Sequence, residues 1–106
     1  MTHVMVRYEV TPDLAAENEQ LVQAVYAELA EARPAGLSYA TFALDDGVGF
    51  VHVATVETDD GRNPLDDVAA FARFQEGLGA RLVAPPTFAT LRRIGSYGDL
   101  GGQSGA

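Results

Sequence analysis

The chain has 106 residues, a net charge of −8, 47% apolar residues and no cysteine. This is enough for one domain with a single core, and the missing cysteines exclude disulfides, thiolate metal sites, iron–sulfur clusters and thiol catalysis. All seven basic residues are arginine, which excludes lysine Schiff-base or lysine general-base chemistry. Without a basic cluster, nucleic acid is not an expected partner.

No apolar run approaches the ~18 residues that span a bilayer, so no membrane association is expected. The start, MTHVMVRYEV, has no charged segment ahead of an apolar one. It therefore reads as a first strand rather than a signal peptide, and a cytoplasmic setting is the expectation. His3 to Val10 alternates, with Val4, Val6, Tyr8 and Val10 on one face and His3, Met5, Arg7 and Glu9 on the other. Thr11-Pro12 then opens a helix. Leu14, Asn18, Leu21, Val22, Val25, Tyr26 and Leu29 recur at three and four along it, and Pro34 and Gly36 end it.

Leu37 to Asp45 and Phe50 to Glu57 read as strands joined by a tight turn at Asp46-Gly47. After the loop TDDGRNP, a second helix is expected with Val68, Phe71, Phe74, Gln75 and Leu78 on its buried side. Gly77 and Gly79 weaken it near its end. Pro85-Pro86 breaks the chain, and Phe88 to Gly95 reads as the fourth strand. Residues 1–97 are expected to form one domain and 98–106 a disordered C-terminal tail.

The order β-α-β-β-α-β implies an α+β, ferredoxin-like fold with both helices on one face of a four-stranded antiparallel sheet. The hairpin turn places Leu44 opposite Gly49, Phe42 opposite Val51 and Ala40 opposite Val53. Matching the midpoints of the first and third strands sets Arg7 near His52 and Val6 near Val53. On that register Val4, Val6, Tyr8, Phe42, Val51 and Val53 face the helices. Met5, Arg7, Tyr39, Thr41, Phe50, His52 and Ala54 form the bare face, and a one-residue slip would exchange the two sets. The bare face is too apolar to meet water, so a homodimer packed sheet to sheet is expected.

The strand VMVRYEV, the helix TPDLAAENEQLV, the hairpin YATFALDDGVGFVHVATVE and the segments NPLDDVAAFARFQEGLGARLVAPP and FATLRRIGSYG resemble the antibiotic biosynthesis monooxygenase-like family of the dimeric α+β barrel superfamily. The resemblance covers most of the chain. It implies a dimeric α+β barrel and a cofactor-independent oxygenase acting on a small aromatic or polyketide-like compound, with no cofactor and no metal. The alternative is a non-catalytic small-ligand-binding or structural dimeric module, because one fold hosts many chemistries. Oxygenases of the family often use a tryptophan with asparagine, histidine or arginine, and this chain departs from that pattern in having no tryptophan.

Two residues are catalytic candidates. His52 is either a general base for a phenolic substrate or a barrel-interface histidine hydrogen-bonded to Thr41, Tyr39 or a partner residue. The face assignment favours the second. Arg7 either grips a substrate anion or pairs with Glu9 or a partner carboxylate, and the pair is favoured. Tyr8, Tyr26, Phe42, Phe71 and Phe74 are candidates for lining a ligand pocket between helices and sheet, or they fill the core, as aromatics at such spacing usually do. Asn63 either orients a ligand or caps the second helix. Asp45-Asp46 and Asp59-Asp60 lack the alternating ligands of a calcium loop and read as turns. Asp66-Asp67 suits the first turn of a helix.

Overall fold

In the computed structural model, residues 1–98 are described; the expected tail lies outside them except for Gly98. The elements are β1 (Thr2–Glu9), α1 (Ala15–Ala32), β2 (Leu37–Ala43), β3 (Gly49–Val56), α2 (Ala69–Glu76), α3 (Leu78–Arg81) and β4 (Thr87–Leu91). Short 3₁₀ turns at Pro12–Leu14 and Pro64–Asp67 lead into α1 and α2. The strands form one antiparallel sheet in the order β2-β3-β1-β4, which is the ferredoxin-like α+β arrangement the element order implied. β4 is shorter than its sequence suggested and ends at Leu91.

The β2–β3 register agrees with the sequence, with Phe42 opposite Val51 and Ala40 opposite Val53. The turn itself differs. Gly47 N donates to Leu44 O at 3.1 Å, and Gly47 takes the positive φ of 79° while Asp46 does not. The turn is therefore centred on Asp45-Asp46, with glycine at the left-handed position after it. Asp46 Oδ1 accepts from Val48 N at 2.9 Å and Gly49 N at 2.8 Å. These two bonds hold its carboxyl below the usual carboxylate range.

The β1–β3 register differs by one residue from midpoint matching. Val6 lies opposite His52 and Arg7 opposite Val51. The two strands are not joined by a hairpin, so no turn fixes their pairing in the sequence. The face assignment changes accordingly. Tyr8, Phe50, His52, Ala54 and Val56 are buried, and Tyr8 and Phe50 pack in one core with Val22 and Val25 of α1 and Phe74 of α2. Val4, Val6, Tyr39 and Thr41 share this helix-covered face by register. Phe42, Val51, Val53, Met5 and Arg7 lie on the other face, where Phe42 is 49% exposed. The β2 and β3 faces are therefore the reverse of those expected from the sequence: Tyr39, Thr41 and His52 are polar singly, but in the core they satisfy one another.

α1 buries Asn18, Val22 and Val25 as its periodicity required. Glu28 of α1 reaches α2 and accepts from Ala69 N at 3.1 Å and Ala70 N at 2.9 Å. It so satisfies two of the amide donors that a helix start leaves open. Asn63 accepts from Leu65 N at 3.0 Å and is a cap.

Gly36 joins α1 to β2 at φ 79°. A Cβ there would lie 2.5 Å from Glu57 O and 2.8 Å from Thr58 Cγ2, against a backbone pinned by the Glu57 N to Gly36 O bond of 2.8 Å. Gly36→Ala is expected to lower the free energy of unfolding by about 2–3 kcal/mol, from left-handed strain plus the clash. Gly47→Ala, at the same φ with nothing within 4 Å, isolates the strain at about 1–2 kcal/mol. Urea denaturation of the two variants at one protein concentration checks the difference.

Candidate functional site

The centre of the helix-covered face is a chain of polar side chains rather than a purely apolar core. β3 supplies His52, β1 Tyr8, β2 Tyr39 and Thr41, α1 Asn18 and Tyr26, and the end of α3 Arg81. His52 is 4%, Asn18 0% and Arg81 3% exposed.

Arg81 Nε donates to Asn18 Oδ1 at 2.9 Å, and its Nη2 donates to Phe74 O at 2.9 Å. Asn18 Nδ2 donates to Tyr8 Oη at 2.9 Å. Tyr8 Oη lies 2.7 Å from His52 Nε2. On the other side of the ring, His52 Nδ1 lies 2.6 Å from Tyr39 Oη and 3.1 Å from Thr41 Oγ1. Thr41 Oγ1 lies 2.8 Å from Tyr26 Oη. No buried side-chain nitrogen or oxygen among the described residues lacks a partner.

Arg81 is a buried cation with no carboxylate partner among the described residues; the ion pair formed there is Arg62 to Asp67, at the surface. Desolvating a lone guanidinium is expensive. Three features offset that. Phe74 O belongs to the last turn of α2, where carbonyls are unpaired and the helix dipole is negative. The Phe74 ring lies under the guanidinium, 5.4 Å from centroid to Cζ, a cation–π distance. Gly77 leaves room, since a Cβ there would sit 2.8 Å from Arg81 Nη1. The backbone of the same segment is tied to β1, with Thr11 N on Arg81 O and Val83 N on Glu9 O, both at 3.0 Å.

The cation also fixes the Asn18 amide. Turning it over would point two donors at each other, so Oδ1 must face Arg81 and Nδ2 must face Tyr8. The Tyr8 oxygen then accepts, and its own hydrogen goes to His52 Nε2. The reverse arrangement would leave the Tyr8 hydrogen buried without an acceptor, at a cost of about 1–3 kcal/mol.

Aromatic rings pack around the imidazole: Tyr8 and Phe74 at 5.3 Å and Tyr39 at 5.8 Å between centroids. Burial pushes His52 down to about 4 from 6.5 and Tyr8 up to about 12, and raises Tyr26 and Tyr39. At neutral pH the imidazole is therefore uncharged and the three phenols keep their hydrogens.

Space for a ligand lies just beyond the hydroxyl end of this chain. Tyr26 stands between two open clefts, one of about 370 Å3 with Leu29, Arg33, Leu37 and Tyr39 and one of about 290 Å3 with Val22, Thr41 and Phe50. Tyr26 and Tyr39 stack at 5.2 Å with 15° between planes. Of the residues singled out in the sequence, Tyr8, Tyr26, Phe71 and Phe74 gather around His52 and Tyr39. Phe42 and Arg7 lie across the sheet, and Asn63 is occupied as a cap. Asn18 and Arg81 were missed as site residues. A polar Asn18 at a core position of an otherwise apolar helix stripe was the available signal, because such a group needs a buried partner. Nothing in the sequence marked Arg81. Among the described residues, no group of three or more His, Asp or Glu side chains converges as a metal site, and no helix is long and apolar enough to cross a membrane.

No protein-family model matches the chain, and no curated protein matches it in sequence. Solved structures do. The Rv0793 protein of Mycobacterium tuberculosis superposes with a TM-score of 0.70 at 18% identity, covering 92% of this chain and 98% of that one. A protein described as an antibiotic biosynthesis monooxygenase gives 0.67 at 16%, covering 90% and 100%. A variant of SnoaB, a cofactor-independent oxygenase from Streptomyces nogalater, gives 0.67 at 16%, covering 92% and 97%. The chain shares the ferredoxin-like α+β fold of these structures. At these identities the likeness is one of fold, and chemistry has to be argued from the side chains.

A buried neutral histidine makes stability depend on pH. The unfolded chain binds a proton at His52 near pH 6.5 and the folded chain only near 4. The stabilisation is complete above 6.5 and is lost as pH falls toward 4. At about 1.4 kcal/mol per pH unit between the two values, it amounts to about 3 kcal/mol. Chemical denaturation at pH 7, 5.5 and 4 is expected to show this loss in the wild type. Subtracting the same series for His52→Gln removes the carboxylate contribution, and parallel curves would contradict the buried neutral ring.

Proposed function

We propose that this protein is a homodimeric, cofactor-independent oxygenase of the antibiotic biosynthesis monooxygenase-like kind. Its substrate is a small aromatic or polyketide-like compound held against the Tyr26–Tyr39 stack. The carrying observation is that the buried polar chain from Arg81 through His52 ends on Tyr26, Tyr39 and Thr41, residues that line two open, largely apolar clefts. An aromatic stack supplies a π surface, and the hydroxyls supply the few polar groups that orient a ligand.

The reaction needs no resident redox group. A methylene flanked by aromatic rings, tautomeric with a phenol, releases one proton to water and becomes an electron-rich carbanion or enolate. That anion gives an electron to O2, and the resulting radical pair joins in a C–O bond. The peroxide takes up a proton, then the remaining C–H proton leaves as the O–O bond breaks. One oxygen becomes the carbonyl and the other leaves as water, so substrate plus O2 gives ketone plus H2O. The chain's own task is to bind and stabilise the anion. His52 acts through Tyr39 and Thr41, because its ring does not reach the surface. Arg7 has no part in this site.

One observation favours a second reading, a non-catalytic module that binds the same kind of ligand. The space around His52 is filled with rings, and its hydrogen bonds are already complete. Oxygen-electrode measurements with a panel of anthrones and hydroquinones separate the two. For the oxygenase, wild-type protein consumes one O2 per substrate. His52→Ala slows it about 10²-fold, the usual worth of a lost stabilising donor, and Thr41→Val about tenfold, the worth of one hydrogen bond. Saturable binding without uptake would leave the binding module.

The homodimer belongs to the same proposal, as does the cytoplasmic setting. Met5, Ala40, Phe42, Val51 and Val53 make a largely apolar sheet face with no helix over it, and Leu91 of β4, opposite His3 on the same face, is 37% exposed. A second copy packed sheet to sheet buries this face. Analytical ultracentrifugation is expected to give a dimer at micromolar concentration, and Val51→Asp, at the centre of the bare face, a folded or aggregating monomer. A wild-type monomer would sink the dimer.

A further inference from the structure

The polarity of the hydrogen-bond chain says which kind of ligand atom the clefts accept. Asn18 and Tyr8 are each held in one orientation by the guanidinium, so Tyr8 donates to His52 Nε2. A neutral imidazole that accepts at Nε2 must carry its hydrogen on Nδ1, facing Tyr39 Oη at 2.6 Å and Thr41 Oγ1 at 3.1 Å.

The hydroxyl hydrogens can now be counted. Tyr39, Thr41 and Tyr26 bring three. One contact joins them, Thr41 to Tyr26 at 2.8 Å, and it uses one hydrogen. The imidazole takes none because Nδ1 is itself a donor. Two O–H groups are left over. With the opposite tautomer, Nδ1 would accept one of those hydrogens from Tyr39 or Thr41, and that donor would be lost to a ligand. Tyr26 and Tyr39 line one cleft, and Tyr26 and Thr41 the other, so the spare donors belong to residues of the ligand site.

We propose that Arg81, acting through Asn18 and Tyr8, is a positioning residue that holds His52 as its Nδ1–H tautomer, so that the cleft wall offers a free hydroxyl donor and selects aromatic ligands bearing a carbonyl, enolate or phenolate oxygen. His52 then serves as a donor at one remove and not as a base. This rests on the clefts being the ligand site proposed above, and it extends that reading to the substrate atom recognised.

Long-range 1H–15N NMR of the full chain reads the tautomer directly, with His3 as the only other histidine. The wild type is expected to show His52 protonated on Nδ1 at neutral pH, and an Nε2–H ring would overturn the proposal without any variant. Arg81→Met frees the Asn18 amide to turn over, so a mixed or Nε2–H signal is expected. An unchanged Nδ1–H signal in a folded Arg81→Met protein would show that Arg81 does not set it. Binding is compared for 1,4-naphthoquinone and naphthalene, which share a ring system and differ in acceptor oxygens. The chain has neither cysteine nor lysine for the quinone to alkylate. Wild type is expected to prefer the quinone about tenfold, the worth of one hydrogen bond, with shifts at Tyr26, Tyr39 and Thr41. Equal affinities would overturn the donor assignment. Neither readout involves turnover: the Nδ1–H tautomer with quinone preference and no oxygen uptake fails the oxygenase alone, whereas uptake with an Nε2–H ring fails this proposal alone.

Discussion

A guanidinium buried without a carboxylate partner among the described residues orders the middle of this molecule. Arg81 is stable there because α2 ends beside it, with a free carbonyl, a negative helix terminus and the Phe74 ring. A carboxylate in the same place would have ended the chain of donors by absorbing them. Asn18 passes the orientation on, since it accepts with one atom and donates with the other. From there each partner has one permitted direction until the hydroxyls of β2 are reached. The helices, the sheet and the clefts are thus joined by a directional network running through the core.

That network also explains why the core tolerates so many polar groups. Each buried hydroxyl, amide and ring nitrogen would cost about 1–3 kcal/mol if left unpaired, and among the described residues each such nitrogen or oxygen atom has at least one hydrogen-bond partner. Between His52 and Tyr39, Tyr8 or Phe74 the rings are also in contact, so the polar line is sheathed in apolar area. Such networks are cooperative. Losing one member leaves two others unsatisfied, and this ties the geometry of the clefts to a residue on the far side of the sheet's helical layer.

The fold was largely legible in the sequence. Alternation marked the strands, spacing of three and four marked α1, and the Asp-Gly turn fixed the β2–β3 register. The β1–β3 register was not legible, because a crossover connection imposes no pairing on its strands. The face assignment failed with it. Tyr39, Thr41 and His52 look too wet for a core when scored singly, and become core residues only when their mutual hydrogen bonds are counted. The site was half legible for the same reason. His52, Tyr8, Tyr26, Phe71 and Phe74 carry visible signals in type and spacing. Arg81 sits in an ordinary-looking helix end, and its role depends on Gly77, Phe74 and Asn18 meeting in space.

The inverted faces bear on function as well as topology. With His52 on the bare face, its partners would come from a second copy, and its protonation would be a property of the assembly. On the helix-covered face its hydrogen bonds run to Tyr8, Tyr39 and Thr41 of its own chain. Pairing of two copies would then protect the sheet without building the site. A tryptophan-free pocket fits this division. Tyr26 and Tyr39 provide aromatic area comparable to a single indole, and unlike an indole, which only donates, their hydroxyls can both accept from the network and donate to a ligand.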